Sequence, residues 1–267
     1  MERIAIIADI HANLEALKTV LKDIEEKGIK RIFCLGDIIG KGAHPKECID
    51  LVLEKCEVIL IGNLEDFVLK ETKNLNEINA SRQAFYQKQI GSHIDKIKNL
   101  AFSYEFYMSG SLIRLLHASP SDVTNRINNL ADHKAKIKEF YPTGQTISQK
   151  TADVLIFADL HSQFMEKFYN KTMINCGSVG CPTDIIRDDA HDSHPMETTQ
   201  AFYLIVEGEM DSQEYNNPLS FNFIRVPYDI EKELATNNEL LEKEDYQREL
   251  REAKYRDIHL LKEMYDL

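Results

Sequence analysis

The sequence predicts an α/β fold, and three observations carry that expectation. Short apolar runs in the first third alternate with segments of helical periodicity, as in βα units. Apolar runs separated by turn residues dominate the second half. Several runs end in Asp, His or Asn, at the positions where open α/β sheets collect ligands.

Residues 3–8 form the first predicted strand. Leu14, Leu17, Leu21 and Ile24 then recur every three or four residues, an amphipathic helix that Asn13 can cap and that ends near Gly28. Residues 31–35 read as the second strand, Pro45 opens a helix running to Val52, and residues 57–61 read as a third, buried strand. The first third is therefore βαβαβ. Residues 66–100 are polar and helical, an insertion expected to pack over one end of the sheet. Residues 104–108 and 112–116 bracket Ser109-Gly110-Ser111 as a hairpin. A helix near 131–140 precedes a strand at 154–157, and residues 164–169 and 172–175 flank Asn170-Lys171 as a second hairpin. Strands near 201–206 and 221–226 complete the β-rich half.

With 267 residues, a single large domain with additions is expected, spanning residues 1–228 with the helical insertion at 66–100. Residues 229–267 carry 12 acids and 7 bases and read as a helical tail packed on that domain. Tyr246, Leu250 and Ala253 share one stripe of it, and Ile258, Leu261 and Tyr265 a neighbouring one.

A hydrophobic content of 43% supports a sizeable core and excludes a disordered chain. The net charge of −12 opposes attraction to nucleic acid or to an anionic membrane surface, so an anionic substrate needs a local positive centre. The longest apolar run, residues 201–206, is far short of the roughly 20 residues of a membrane span. Asp9 interrupts the N-terminal apolar run before it reaches signal-peptide length, and the expected compartment is the cytoplasm. Five cysteines read as reduced thiols. Cys34 and Cys56 belong to apolar segments, and Cys176 and Cys181 flank a Gly-Ser-Val-Gly loop, where buried thiols are preferred over a metal pair.

Five apolar runs terminate in metal-binding residue types. They lead in turn to Asp9 and His11, to Asp37, to Asn63, to His117, and to Asp159 and His161. If their strands are neighbours, three Asp, three His and one Asn converge beyond the carboxyl ends. Oxygen and imidazole together suit two divalent ions such as Mn²⁺, Fe²⁺ or Zn²⁺ better than Ca²⁺ alone.

Asp9-Ile10-His11, Gly36-Asp37-Ile38-Ile39-Gly40, Gly62-Asn63-Leu64-Glu65, His117, the His161 region and the block from Asn175 to Gly180 resemble, in order and spacing, the blocks of the calcineurin-like metallophosphoesterase superfamily. The short first helix and the Gly-Ser-Val-Gly block are similar to its small bacterial phosphodiesterase branch, some of whose members are dinucleoside tetraphosphate hydrolases. The resemblance implies a four-layer α/β/β/α sandwich with the site at its rim. It implies two divalent ions, Mn²⁺ first, with Fe²⁺, Zn²⁺ or Mg²⁺ as alternatives. Asp9, His11 and His161 would bind one, Asp37 would bridge, and Asn63 and His117 would bind the other, joined by Asp159. A hydroxide, available because metal coordination lowers the pKa of water, would attack phosphorus in line with the leaving oxygen. Asn63, His117 and Glu65 are the expected catalytic residues. Asn13 and Arg126 are candidate phosphate contacts, with a helix cap and a solvated surface role as their respective alternatives. The substrate would be small, phosphorylated and nucleotide-like.

Two departures from the family pattern matter. Ala158-Asp159-Leu160-His161 stands where the family usually has Gly-His-x-His, so an imidazole becomes a carboxylate. Either the site becomes harder and favours Mn²⁺ or Mg²⁺ over Zn²⁺, or Asp159 points elsewhere. Leu64 stands where the family often has a His that protonates the leaving group, which favours leaving groups needing no proton, such as those of phosphoanhydrides. Glu65 could act through water or support a ligand. Gly177 and Gly180 are expected to allow a tight turn near the site, and His191, Asp192 and His194 to form a solvated or lid-like loop. The competing class is a non-catalytic protein-binding scaffold, as in the retromer subunit of similar fold. A protein Ser/Thr phosphatase is disfavoured, since residues 36–42 read GDIIGKG without the Asp-Arg-Gly of that group.

Overall fold

The computed structural model describes residues 1–128, 131–183 and 199–252. Strand β1 (Glu2–Ile7) alternates Ile4 and Ile6 toward one side with Ala5 and Ile7 toward the other, all fully buried. A strand apolar on both faces must be central and covered twice. Helix α1 (Leu14–Glu26) follows, then β2 (Arg31–Cys34), α2 (Pro45–Lys55) with its proline in the first turn, and β3 (Val58–Ile59). β1 pairs in parallel with β2, and β2 with β3, the geometry that helical crossovers impose. β3 is a half-buried edge strand of two residues rather than the longer buried strand expected. The Leu60 amide still donates to Cys34, but the Ile61 amide turns to Ala101.

The polar stretch folds as α3 (Asn63–Leu69), α4 (Glu77–Ile90) and α5 (Ile94–Ile97), starting slightly before the expected boundary. These helices do not sit at the sheet end alone. Val68, Tyr86, Ile90 and Ile97 join Leu17, Val20, Ile24, Ile49 and Val52 on the outer face of the first sheet.

The hairpin β4 (Ser103–Met108) and β5 (Ser111–Leu116) forms around Ser109-Gly110 as expected. The 131–140 region is a single α turn, α6 (His133–Lys136), continuing as a 3₁₀ turn to Phe140. β6 (Val154–Phe157), β7 (Gln163–Phe168) and β8 (Lys171–Cys176) join that hairpin in a second sheet of order β4-β5-β6-β8-β7. β9 (Ala201–Gly208) and β10 (Leu219–Val226) return to the first sheet, of order β10-β9-β1-β2-β3.

The sheets stack through Ile4, Ile6, Phe33 and Leu204 of one against Ile113, Leu115, Ile156 and Ile174 of the other. Each such side chain contributes about 1.5–3 kcal/mol by leaving water. Phe140 and Ile137 cover Leu155, Phe157 and Met173 on the second sheet's outer face. The architecture is a four-layer α/β/β/α sandwich. The charged tail forms two helices, α7 (Ile230–Leu234) and α8 (Lys243–Glu252), and Tyr246 and Leu250 of α8 pack on Cys181 and Leu234. Ala253, the second tail stripe and the His191, Asp192 and His194 cluster lie outside the described residues. Among the described residues, no helix is long and apolar enough to cross a membrane.

Candidate metal centre

The parallel strands of both sheets deliver their carboxyl ends to one rim. β1 presents Asp9 and His11, β2 Asp37, the turn into α3 Asn63, β5 His117, and β6 Asp159 and His161. Five of these seven adopt left-handed backbone conformations, with φ of 49° at Asp9, 51° at His11, 49° at Asp37, 62° at Asp159 and 63° at His161. Such conformations cost about 1–3 kcal/mol each and persist only where surrounding bonds fix them. The Asp9 amide donates to Gly36 O at 3.0 Å and the His11 amide to Asp37 O at 3.0 Å, so the first two strand ends hold each other. Gly62 is required here, because a Cβ would meet the Asp37 amide and Oδ1 at 2.2 Å. Gly180 is required too, since a Cβ there would lie 1.9 Å from Ile10 O.

Six of the seven expected ligands converge. Asp9, His11 and His161 form one cluster of donor atoms, and Asp9, Asp37 and His117 a second. Asn63 Oδ1 lies 2.9 Å from His117 Nε2. Each histidine rests its Nδ1 near a backbone carbonyl, at 2.7 Å from Cys181 O for His161, 2.8 Å from Leu35 O for His117 and 3.3 Å from Ile39 O for His11. An Nδ1–H donating there turns the Nε2 lone pair inward. The Nε2 atoms of His11 and His161 consequently face each other at 3.0 Å, and that of His117 faces an amide oxygen. Lone pair against lone pair is repulsive unless a proton or a cation lies between. Asp9 Oδ1 is buried and, among the described residues, has no hydrogen-bond partner. These donors fit divalent cations.

The electrostatics agree. Burial, reinforced by Asp37 and Asp159, pushes the Asp9 carboxyl well above the usual carboxylate range. Burial carries Asp37 to about 8. It also lowers the pKa of His117 and, further, of His161, which keeps the imidazoles neutral and able to coordinate. A divalent cation would reverse the penalty on the carboxylates.

The remaining candidates fall to either side of this cluster. Glu65 is fully buried, and its two oxygens accept backbone N–H bonds from Asp37, Ile38, Ile39 and Gly62 at 2.8–3.2 Å. Of the two roles open to it, the contacts support the holding of the Asp37 loop. Asn13 caps α1 through the Ala16 amide and donates to Gly180 O and to the Tyr228 hydroxyl, each at 3.0 Å, which favours the cap over a phosphate contact. Asp159 turns to Arg126, whose Nε and Nη2 reach its oxygens at 2.8 and 3.0 Å. All five cysteines are free thiols.

The cluster floors a cleft of about 940 Å³, whose walls include Lys41, Leu64, Phe67, Lys70, Arg82 and Arg126. Each of these cations is paired with a carboxylate, Lys41 with Glu249, Lys70 with Asp66, Arg82 with Glu242 and Arg126 with Asp159, so the local positive centre that the acidic chain requires falls to bound divalent ions. The cleft's outer wall, contributed by α3 and α4, was not evident from the sequence. Lys70 just after α3 and Arg82 and Tyr86 on α4 carry no pattern that singles them out, and only the fold turns them toward the cleft.

Comparison with known proteins places these features in a family. The calcineurin-like phosphoesterase family model matches residues 2–163. An uncharacterized protein of Methanocaldococcus jannaschii is 30% identical over 247 residues, spanning 86% of this chain and 89% of its own. Two solved structures share the fold. A metallophosphoesterase from Sphaerobacter thermophilus has a TM-score of 0.62 at 23% identity, covering 87% of this chain and 92% of its own. A hypothetical protein of Pyrococcus horikoshii has a TM-score of 0.66 at 16% identity, covering 87% and 91%. Because the family match takes in every strand end that presents a donor, from Asp9 to His161, the chain belongs to the calcineurin-like phosphoesterases, metal-dependent hydrolases of phosphoesters.

Proposed function

We propose that this protein is a dinuclear hydrolase of phosphodiester or phosphoanhydride bonds, with Mn²⁺ as the preferred ion and small nucleotide-like substrates of the dinucleoside polyphosphate kind. The observation that carries the proposal is the pair of donor clusters sharing Asp9 at the floor of the cleft. Asp9, His11 and His161 would hold one ion, and Asp9 or Asp37 with Asn63 and His117 the other. When bound, such a pair supplies Lewis acidity toward a phosphoryl oxygen and lowers the pKa of water. The protein's own residues set the geometry. Glu65 fixes the loop that carries Asp37, and the backbone carbonyls of Leu35, Ile39 and Cys181 orient the three imidazoles.

The bond preference rests on Leu64, which lines the cleft beside Asn63 and cannot donate a proton. A missing general acid costs an alkoxide leaving group about 10² to 10⁴ in rate. A phosphate oxygen with a pKa near about 6 departs unprotonated. The six converging donors favour an enzyme over a protein-binding scaffold. The test is a hydrolysis screen of Mn²⁺-reconstituted protein over dinucleoside polyphosphates, aryl phosphodiesters and alkyl monoesters. Anhydrides and aryl diesters are expected to react fastest. Turnover confined to alkyl monoesters would refute the bond preference, and the absence of any turnover would refute the enzyme.

A further inference from the structure

The loop that carries Asp9 and His11 is zipped by backbone bonds to the loop that carries Asp37. The His11 amide donates to Asp37 O, the Ala12 amide to Ile38 O, the Gly42 amide to His11 O and the His44 amide to Ala12 O, at 2.8–3.1 Å. Asp9, His11, Ala12, Asp37 and Lys41 on these loops all have positive φ, a conformation that persists only where the surroundings fix it. Glu65 grips residues 37–39, at the start of the second loop. The end of that loop is held by the C-terminal segment. Glu249 Oε2 of α8 accepts from Lys41 Nζ at 2.8 Å, and Asn238 Nδ2, between α7 and α8, donates to Ala43 O at 2.9 Å. The same segment grips the chain just after the first loop, where Asn13 donates to the Tyr228 hydroxyl at 3.0 Å and the Glu15 amide to Glu233 Oε2 at 3.2 Å. Tyr246, Glu249 and Leu250 share one buried face of α8, and Tyr246 and Leu250 pack it on Cys181 and Leu234. The Lys41 side chain is 12% exposed and that of Glu249 6%, so the pair is shielded from water and breaking it is costly. Lys41 lines the cleft together with His11, Asp37 and His161.

We propose that residues 228–252 form a strap that fixes the two metal-presenting loops against each other, and that Glu249 is a positioning residue that acts on Asp37 through Lys41. The proposal rests on the two-metal reading above and extends the machinery of that site to a segment beyond the matched residues 2–163. A lysine side chain has many rotamers, so ordering it at the cleft wall needs a partner that is itself fixed. Glu249 meets that condition because its neighbours on the helix face are core residues. Loss of the pair releases the left-handed turn at Lys41, and the shift passes to Asp37 through the bonds that Gly42 and His44 make to the first loop. The donors all remain, but their spacing no longer matches a pair of cations.

The experiment compares the parent with Glu249→Gln, Lys41→Met and the Glu249→Gln/Lys41→Met double variant. Arg251→Gln is the control, since it breaks an exposed pair between α8 and Glu231 of α7 that touches neither loop. Three quantities are measured: amide hydrogen exchange of residues 37–44 in the metal-free protein, Mn²⁺ affinity by calorimetry, and kcat for bis(p-nitrophenyl) phosphate as Mn²⁺ is raised. Each single variant should speed exchange in that loop and weaken Mn²⁺ binding by roughly tenfold, at the lower end of the 10- to 100-fold loss typical for residues that orient ligands. The double variant should lose no more than either single one, because the two residues act as a unit. Excess Mn²⁺ should restore the parent's kcat in Glu249→Gln, a rescue that simple loss of folded protein would not show. The control should match the parent in exchange and in Mn²⁺ affinity. Parent-like exchange and Mn²⁺ affinity in Glu249→Gln would overturn the proposal. So would an equal loss in the control, which would reduce the strap to general stability, and so would a loss in Lys41→Met alone, which would separate Lys41 from Glu249. A parent that binds no Mn²⁺ would refute the two-metal reading instead, while exchange in the metal-free protein still decides the strap.

Discussion

Glu65→Gln is the most searching perturbation of the centre that leaves every proposed metal ligand in place. Oε1 accepts from the Ile38 and Ile39 amides at 2.8 and 3.2 Å, and Oε2 from the Asp37 and Gly62 amides at 2.8 and 2.9 Å. A glutamine retains one acceptor oxygen, so its NH₂ group must face one of these pairs of N–H donors. Glu65 is fully buried, and water cannot take over. Two buried donors left without partners cost about 2–6 kcal/mol at about 1–3 kcal/mol each. That is a large share of a typical stability of about 5–15 kcal/mol. At roughly 2–4 °C per kcal/mol, the midpoint of thermal unfolding should fall by about 5–20 °C. The Asp37 loop loses its anchor at the same time, so Mn²⁺ affinity should fall about 10- to 100-fold. Calorimetric unfolding and Mn²⁺ titration measure the two effects, with the exposed Glu54→Gln as a control expected within about 0.5 kcal/mol of the parent. A midpoint shift no larger than that of the control, with unchanged Mn²⁺ affinity, would refute the idea that Glu65 holds the centre together.

Asp37→Ala should lower bound Mn²⁺ from about two ions per chain toward one and abolish hydrolysis. The fold should persist, because a buried carboxylate raised to about 8 is costly to ionise without its cation; circular dichroism checks the fold, and a variant as active as the parent would end the two-metal reading. Leu64→His restores a candidate proton donor at the mouth of the cleft, against Gly40, where Leu64 now packs. It should flatten the dependence of rate on leaving-group pKa, with gains of up to about 10² to 10⁴ on poor leaving groups and little change on anhydrides. A shallow dependence in the parent would show that another residue already donates the proton. Leu250→Ala opens a cavity in a fully buried contact of α8 and should cost about 2–5 kcal/mol locally. Hydrogen exchange should accelerate across α8 while α1 stays protected, and unchanged exchange in α8 would show that the helix does not depend on this contact.

Much of the fold was legible because its elements carry their own periodicity. Alternation in β1 and the three- and four-residue spacing in α1 reflect faces that each element must bury, whatever its neighbours are. The 104–116 hairpin was equally readable, since Ser109-Gly110 supplies the turn. β3 was overestimated because an apolar run reports burial and not pairing. The Leu60 amide still reaches Cys34, but the Ile61 amide turns to Ala101, leaving two paired residues on β2. The tail read as one helical stretch, but charge and apolar stripes do not disclose the break between α7 and α8.

By itself, the sequence determined the alternation of strands and helices, the residue types at the strand ends and, through their order, the family. These are local properties, fixed by side-chain chemistry and by distance along the chain. Only the tertiary structure decided that the ligands converge across two stacked sheets and not along neighbouring strands of one. β1, β2 and β3 lie in the first sheet, and β5 and β6 in the second. It likewise decided that Glu65 faces backbone amides, that Asn13 caps a helix, and that Asp159 meets Arg126. A carboxylate or an amide offers the same atoms to a cation, a guanidinium or a backbone N–H, and which partner it takes depends on where distant segments place their charges and donors.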